Sequence, residues 1–269
     1  MKFLHIWYCV IVEATINVFL HAISLLLLAT VYTKRRRDRK TQLVLLSNFC
    51  ASEFLGNVYN LLFALFHLYN KSELAHCVYR IIAYPSNITF FAGLFLITAD
   101  RLAASSLELR YKTICTVSRA KKVVLVTYCV PNLLLPSGFA VVFACKGYAA
   151  MKRAVDEAHD FVFTMIQFLF SLLIAISYVI IFVHYVKSRR RSTSSEQSVT
   201  RIFANSKFSV AVMITAVHFI FVGIPSLISF AMCLENLHRN YQIIFYALLP
   251  NATGFVDPII YIFLYAPVR

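Results

Sequence analysis

The stretch LLLLATVYTKRRRDRKTQLVLLSNFC, Leu25–Cys50, decides the fold. An apolar run gives way to six basic residues (Lys34, Arg35, Arg36, Arg37, Arg39 and Lys40), after which the chain turns apolar again. Working outward, the same alternation recurs. Seven apolar blocks fall at about 5–32, 42–68, 77–100, 122–144, 160–186, 208–232 and 242–265. Each is roughly 20 residues or longer, enough to cross a hydrocarbon layer about 30 Å thick. Inside that layer every backbone N–H and C=O needs a partner in its own segment, so the blocks are expected to be helices. The composition agrees: 60% of the 269 residues are hydrophobic and 14% charged, against about a quarter charged in a soluble domain.

The net charge of +14 would suit nucleic acid if it were spread over one surface. It is not. Three connections hold eighteen of the 26 Lys and Arg: the Lys34–Lys40 turn, the one after the third block (Arg101, Arg110, Lys112, Arg119, Lys121, Lys122) and the one after the fifth (Lys187, Arg189, Arg190, Arg191, Arg201, Lys207). Short basic loops stay in the cytoplasm, which places the N-terminus outside and the C-terminus inside. The expectation is an all-α, seven-helix, multi-pass protein forming one domain over 1–269, with the lipid bilayer and not nucleic acid as its surroundings. The first block reads as a signal anchor, because it is too long for the apolar core of a cleaved signal.

Of the seven cysteines, Cys77 and Cys145 stand at outer ends on this topology, where thiols can oxidise. Their pairing is the most economical, although connectivity is not written in a sequence. Cys9 and Cys233 could pair with each other or stay free. The sequon at Asn70–Ser72 lies in an outer loop and is a glycosylation candidate; those at Asn87 and Asn251 lie within apolar blocks.

Polar residues inside the blocks carry the most information, because each costs energy unless paired or hydrated. Glu53 lies in the second block, Asp257 in the seventh and Glu13 near the outer end of the first. Glu53 and Asp257 at matching depth would repel if both were ionised, so either one holds a proton or a cation or water cluster lies between them. The alternative is that each is a protonated acid bonded to nearby backbone.

The third block ends in Asp100-Arg101, and the seventh carries Asp257-Pro258-Ile259-Ile260-Tyr261. With seven blocks and an outer N-terminus, these resemble the rhodopsin-like (class A) G-protein-coupled receptors along nearly the whole chain. Glu53 in NFCASE takes the place of that family's second-helix acid, and Asp100-Arg101-Leu102 that of its Asp-Arg-Tyr. Leu109, Tyr111, Arg119 and Ala120 in ELRYKTICTVSRA match its second inner loop, and Phe219 and Pro225 its sixth helix. Departures are plain: Gly223 replaces the sixth-helix tryptophan, the fifth block has no proline, and Phe90 stands where many members place a sodium-pocket serine. The missing proline together with Asp-Pro-Ile-Ile-Tyr is similar to the melanocortin-like branch, whereas a Cys77–Cys145 bridge argues against close membership.

The resemblance implies a plasma-membrane receptor, not an enzyme, that carries a signal from an extracellular small molecule or peptide to a heterotrimeric G protein. It implies that Arg101, restrained by Asp100, is released as the sixth helix swings about Pro225. Arg101 would then line a cleft with Tyr178 and Tyr261, and Leu109 would meet the partner. Asn205 stands where a second acid would clasp Arg101, so basal activity is expected. By position, Ala83, Tyr84, Asn87, Gln167, Ser226, Phe230, Ala247 and Asn251 would line the ligand pocket, with Glu13 nearby. Ala83 in place of an aspartate disfavours a biogenic amine, and Asn251 in place of a lysine excludes covalent retinal. No resident cofactor is expected beyond a sodium ion near Glu53 and Asp257. The competing reading is a small-molecule transporter or ion channel that uses those two acids; the inverted repeats common in transporters are not visible.

Overall fold

Wherever the apolar blocks fall within the described residues, the helices outrun them. The computed structural model describes residues 2–34, 40–69, 73–107, 110–158 and 164–191, with isolated positions at 162, 224, 225 and 228. They form α1 (Lys2–Lys34), α2 (Lys40–Tyr69), α3 (Glu73–Leu107), the single turn α4 (Tyr111–Ile114), α5 (Val117–Glu157) and α6 (Thr164–Arg191). Five of these are long and apolar enough to cross a membrane. The sixth and seventh blocks lie outside the described residues, apart from Ile224, Pro225 and Ile228, which are helical.

The apolar and polar surfaces are arranged for a lipid solvent. Phe19, Leu26, Leu133 and Leu134 face outward, each more than 60% exposed. Asn17, His21, Ser24, Ser52, Glu53, Thr89 and Thr98 are buried. A water-soluble bundle would reverse that pattern. The buried hydroxyls follow the same logic, returning their protons to the carbonyl one turn back: Ser24 to Leu20, Ser52 to Asn48, Thr89 to Pro85 and Thr98 to Leu94, at 2.8–3.0 Å. Helices of this composition and surface are those of a membrane protein.

α1 packs on α2, α2 on α3, and α3 on both α5 and α6. α3 is the most enclosed: 56% of its apolar span is buried, against a third or less in the others. One apolar cluster joins Leu28, Leu43, Leu46, Phe49, Cys50, Leu94, Ile174, Tyr178 and Ile181, which gathers α1, α2, α3 and α6 around a shared core. Above it Phe49 meets Phe90 with ring centres 5.1 Å apart, and Phe91 stacks on Phe170 at 6.4 Å. Aromatic pairs at these separations add to the plain burial of their rings.

The main correction to the sequence reading concerns α5. The fourth block is bounded at 144 because Lys146, Lys152 and Arg153 suggest a loop, yet the helix runs to Glu157. It breaks at Gly147, whose φ of 79° and ψ of 179° lie outside helical space. At that φ only glycine is at ease. Beyond the break Met151 and Val155 turn back onto Cys77 and Tyr84 of α3 in a second apolar cluster that also holds Phe139. Two of the arm's charges find partners on α3, Lys152 with Glu73 and Asp156 with Arg80. α5 starts on a cap: the Thr116 hydroxyl accepts the backbone N–H of Arg119.

Candidate functional site

Two polar constellations stand out. The first lies at the C-terminal end of α3, which continues about two turns past the expected boundary at residue 100, to Leu107. Asp100 is buried and receives two donors. Arg101 gives Nη2 to Oδ2 at 3.1 Å, and the Tyr111 hydroxyl gives its proton to Oδ1 at 2.5 Å. Arg101 keeps 30% of its side chain exposed while Asp100 keeps 5%. The acid is thus the fixed member and the guanidinium the reachable one. Burial, then the bond to Asp100 and its negative charge, hold the Tyr111 phenol above its ordinary range. It therefore remains a proton donor at neutral pH. Burial also pushes up the Cys115 thiol in the same loop, with the Asp100 charge adding to the effect, so that thiol is not primed as a nucleophile.

The sequence reading set Asp100 against Arg101 and placed Tyr111 in the loop that follows; the structure shows the first contact and adds a bond from Tyr111 to Asp100. Leu102 turns inward and packs on the core cluster that contains Tyr178. Tyr178 itself is buried, so the end of α3 and the predicted inner tyrosine share one neighbourhood. Pro225 is helical and buried. Leu109, Phe219, Asp257, Pro258 and Tyr261 lie outside the described residues.

The second constellation lies inside the membrane span, between α1 and α2. His21 Nε2 contacts Glu53 Oε2 in a side-chain pair that is 0% and 4% exposed. His21 Nδ1 lies 2.8 Å from the Asn17 carbonyl. One turn along, the Asn17 amide reaches Asn57 Oδ1 at 3.4 Å, and Asn57 returns an amide proton to the Glu53 carbonyl at 2.9 Å. The two pairs step in opposite directions along antiparallel helices. If Nδ1–H donates to the Asn17 carbonyl, Nε2 in the neutral ring is an acceptor, and the proton in the pair sits on Glu53; in the imidazolium both nitrogens donate. Either way the carboxyl has a partner on α1.

Sequence reasoning singled out Glu53 but not Asn17, His21 and Asn57 as its company. A signal was available: Asn17 and His21 are four apart, and so are Glu53 and Asn57, which places each couple on one helix face. Asp257, the expected neighbour of Glu53, lies outside the described residues.

Of the predicted pocket residues, Ala83, Tyr84 and Gln167 are buried and Asn87 is half-buried. Tyr84 donates to the Val155 carbonyl at 3.3 Å, so the arm beyond Gly147 covers this part of α3. Gln167 stands three residues before Phe170 and Asn87 four before Phe91, which puts them level on parallel helices. Gln167 Oε1 and Glu13 Oε2 are buried without a hydrogen-bond partner among the described residues. Ser226, Phe230, Ala247, Asn251 and the sequon at Asn70 lie outside them. Cys77 and Cys145, expected to pair, are both free thiols here, Cys77 buried beneath the arm and Cys145 exposed. Ion pairs add to the apolar packing between α3 and the arm: Arg80 pairs with Asp156, and Lys152 with Glu73 at 2.7 Å. No group of three metal-ligating side chains occurs among the described residues.

Compared with known proteins, the chain matches no family model, and no curated protein is significantly similar to it.

Proposed function

We propose that the chain is a seven-helix receptor of the rhodopsin-like kind. It lies in the plasma membrane with its N-terminus outside, and passes an extracellular signal to a heterotrimeric G protein. The observation that carries this reading is the end of α3. Buried Asp100 is held from two sides, Arg101 keeps 30% of its side chain exposed, and Arg101 opens one of the chain's three strongly basic connections. A buried acid beside a more exposed base can form an element with two arrangements, which a ligand can bias only by binding one of them better.

In the resting arrangement Asp100 retains Arg101. Activation swings the sixth block about Pro225, where the missing N–H permits a bend. Arg101 then turns into a cleft with Tyr178 and Tyr261 that takes the C-terminal segment of a G-protein α-subunit, while Leu109 packs against the partner. The ligand enters from the opposite side, among Ala83, Tyr84, Asn87, Gln167, Ser226, Phe230 and Asn251. The buried carboxamide of Gln167 supports a ligand that offers a hydrogen-bond donor.

The test is guanine-nucleotide exchange on a co-reconstituted G protein. Arg101→Ala is expected to abolish basal exchange in a protein that still folds. Unchanged exchange would rule the mechanism out.

The buried run of Asn17, His21, Glu53 and Asn57 favours one other reading, an ion-conducting or transporting bundle. Ion flux into proteoliposomes that disappears in Glu53→Gln would replace the receptor reading with that one.

A further inference from the structure

A lone carboxylate deep in a membrane needs a counter-charge or a proton. A sodium ion shared by Glu53 and Asp257 would be one solution, and the donor set decides whether it fits. Sodium is coordinated by oxygen atoms with lone pairs to spare. An imidazolium on Glu53 would itself supply the counter-charge, and a carboxyl sharing its proton with a neutral imidazole would carry no charge to attract the ion. At Glu53 the oxygen Oε2 is in contact with His21 Nε2, and both side chains are shut away from solvent. The imidazole is itself anchored, its other nitrogen lying 2.8 Å from the Asn17 carbonyl. Moving it aside would break that bond and strand two buried polar groups. Asn57 closes the arrangement from α2, bonded to the Glu53 backbone and reached by Asn17.

We infer that Glu53 is committed to His21, and that the protein fastens α1 to α2 through this imidazole–carboxyl pair instead of holding a sodium ion at Glu53. The inference goes beyond receptor function and does not depend on coupling to a G protein. It concerns two helices and one ion.

The consequence is a sodium-insensitive bundle. An ion that binds only the folded state raises the unfolding midpoint as its concentration rises. The full-length chain, purified in detergent, should therefore unfold at the same temperature in sodium chloride and in choline chloride of equal ionic strength, within about 1 °C. A saturable rise with sodium that Glu53→Gln removes would overturn the inference.

The second arm removes the imidazole. His21→Asn leaves the carboxyl without its partner, so the midpoint should fall and should then recover in part as sodium replaces choline. An unchanged midpoint in His21→Asn would show that the pair fastens nothing, and would overturn the inference as well. Should His21→Asn fail to accumulate, adding Glu53→Gln should restore expression. Removing both members of a buried pair is less damaging than stranding one, and no restoration would count against the pairing. All of these are read on the protein alone. A sodium-insensitive protein that fails to drive nucleotide exchange would defeat the receptor reading and leave this one standing.

Discussion

At one end of α3, Arg80 reaches Asp156 and Glu73 reaches Lys152, partners 76 and 79 residues away; at the other, Asp100 is bound by the next residue, Arg101, and by Tyr111 eleven residues on. The first pairs tie α3 to the arm of α5, where Met151 and Val155 also pack on Cys77 and Tyr84. The second are local, joining residues at the end of α3 and in the turn that follows it. One end of this central helix is thus held by contacts distant in the chain, and the other by contacts close in it.

The largest effect expected from breaking this contrast is at Arg101. Arg101→Ala should lower nucleotide exchange at least about tenfold, the scale of one lost charged hydrogen bond, while the unfolding midpoint stays near wild type. A large fall in the midpoint would show that this end also holds position. At the other end Arg80→Ala should do the reverse. It leaves the half-buried Asp156 without its partner and should cost about 1–2 kcal/mol of stability in thermal unfolding, and Arg80→Ala with Asp156→Ala should recover part of it. Equal losses in the single and double variants would mean that the pair contributes little beyond packing.

Next in size is Tyr111→Phe. It removes one bond to Asp100, worth about 1 kcal/mol, which loosens the acid's hold on Arg101 and should raise basal exchange about fivefold. Lower basal exchange would place Tyr111 on the active side of the balance. Smaller still is the pair of thiols. With Cys77 buried and Cys145 exposed as free thiols, Cys77→Ser should lower the midpoint modestly and Cys145→Ser should leave it unchanged. Equal losses that do not add in the double variant would show a disulfide between them. The smallest effect belongs to Glu73→Gln, since an exposed ion pair contributes little and salt screens it. Any difference from wild type at low salt should vanish at 1 M salt.

The helices were legible because the bilayer imposes a length and a polarity that sequence displays directly. The contact of Asp100 with Arg101 was legible too, since the two are neighbours in the chain, whereas the bond from Tyr111 depends on how the turn after α3 folds back. The arm of α5 was not. Its basic residues read as a solvated loop, and only the structure shows Lys152 and Asp156 paired with Glu73 and Arg80, and Met151 and Val155 packed on Cys77 and Tyr84 of α3. His21 was hidden for a related reason: a histidine in an apolar block says nothing of a partner 32 residues away on the next helix. Only the matched four-residue spacing of polar residues on the two helices hinted at it. Long-range pairing lies in the topology, and period and composition report only the topology's parts.

Gly147 has a consequence for how α5 meets the bilayer. A straight helix of 41 residues would measure about 60 Å, roughly twice the thickness of the hydrocarbon layer. Continued without a break, it would carry Lys152, Arg153, Asp156 and Glu157 far out into water, away from α3. Because the chain breaks at residue 147, the last ten residues lie against α3, with Met151 and Val155 on Cys77 and Tyr84 and with Lys152 and Asp156 within reach of Glu73 and Arg80. A β-carbon at this position would meet no neighbouring atom, but it would make the positive-φ break strained. One hydrogen in place of a methyl group thus separates a protruding rod from an arm laid back on its neighbour.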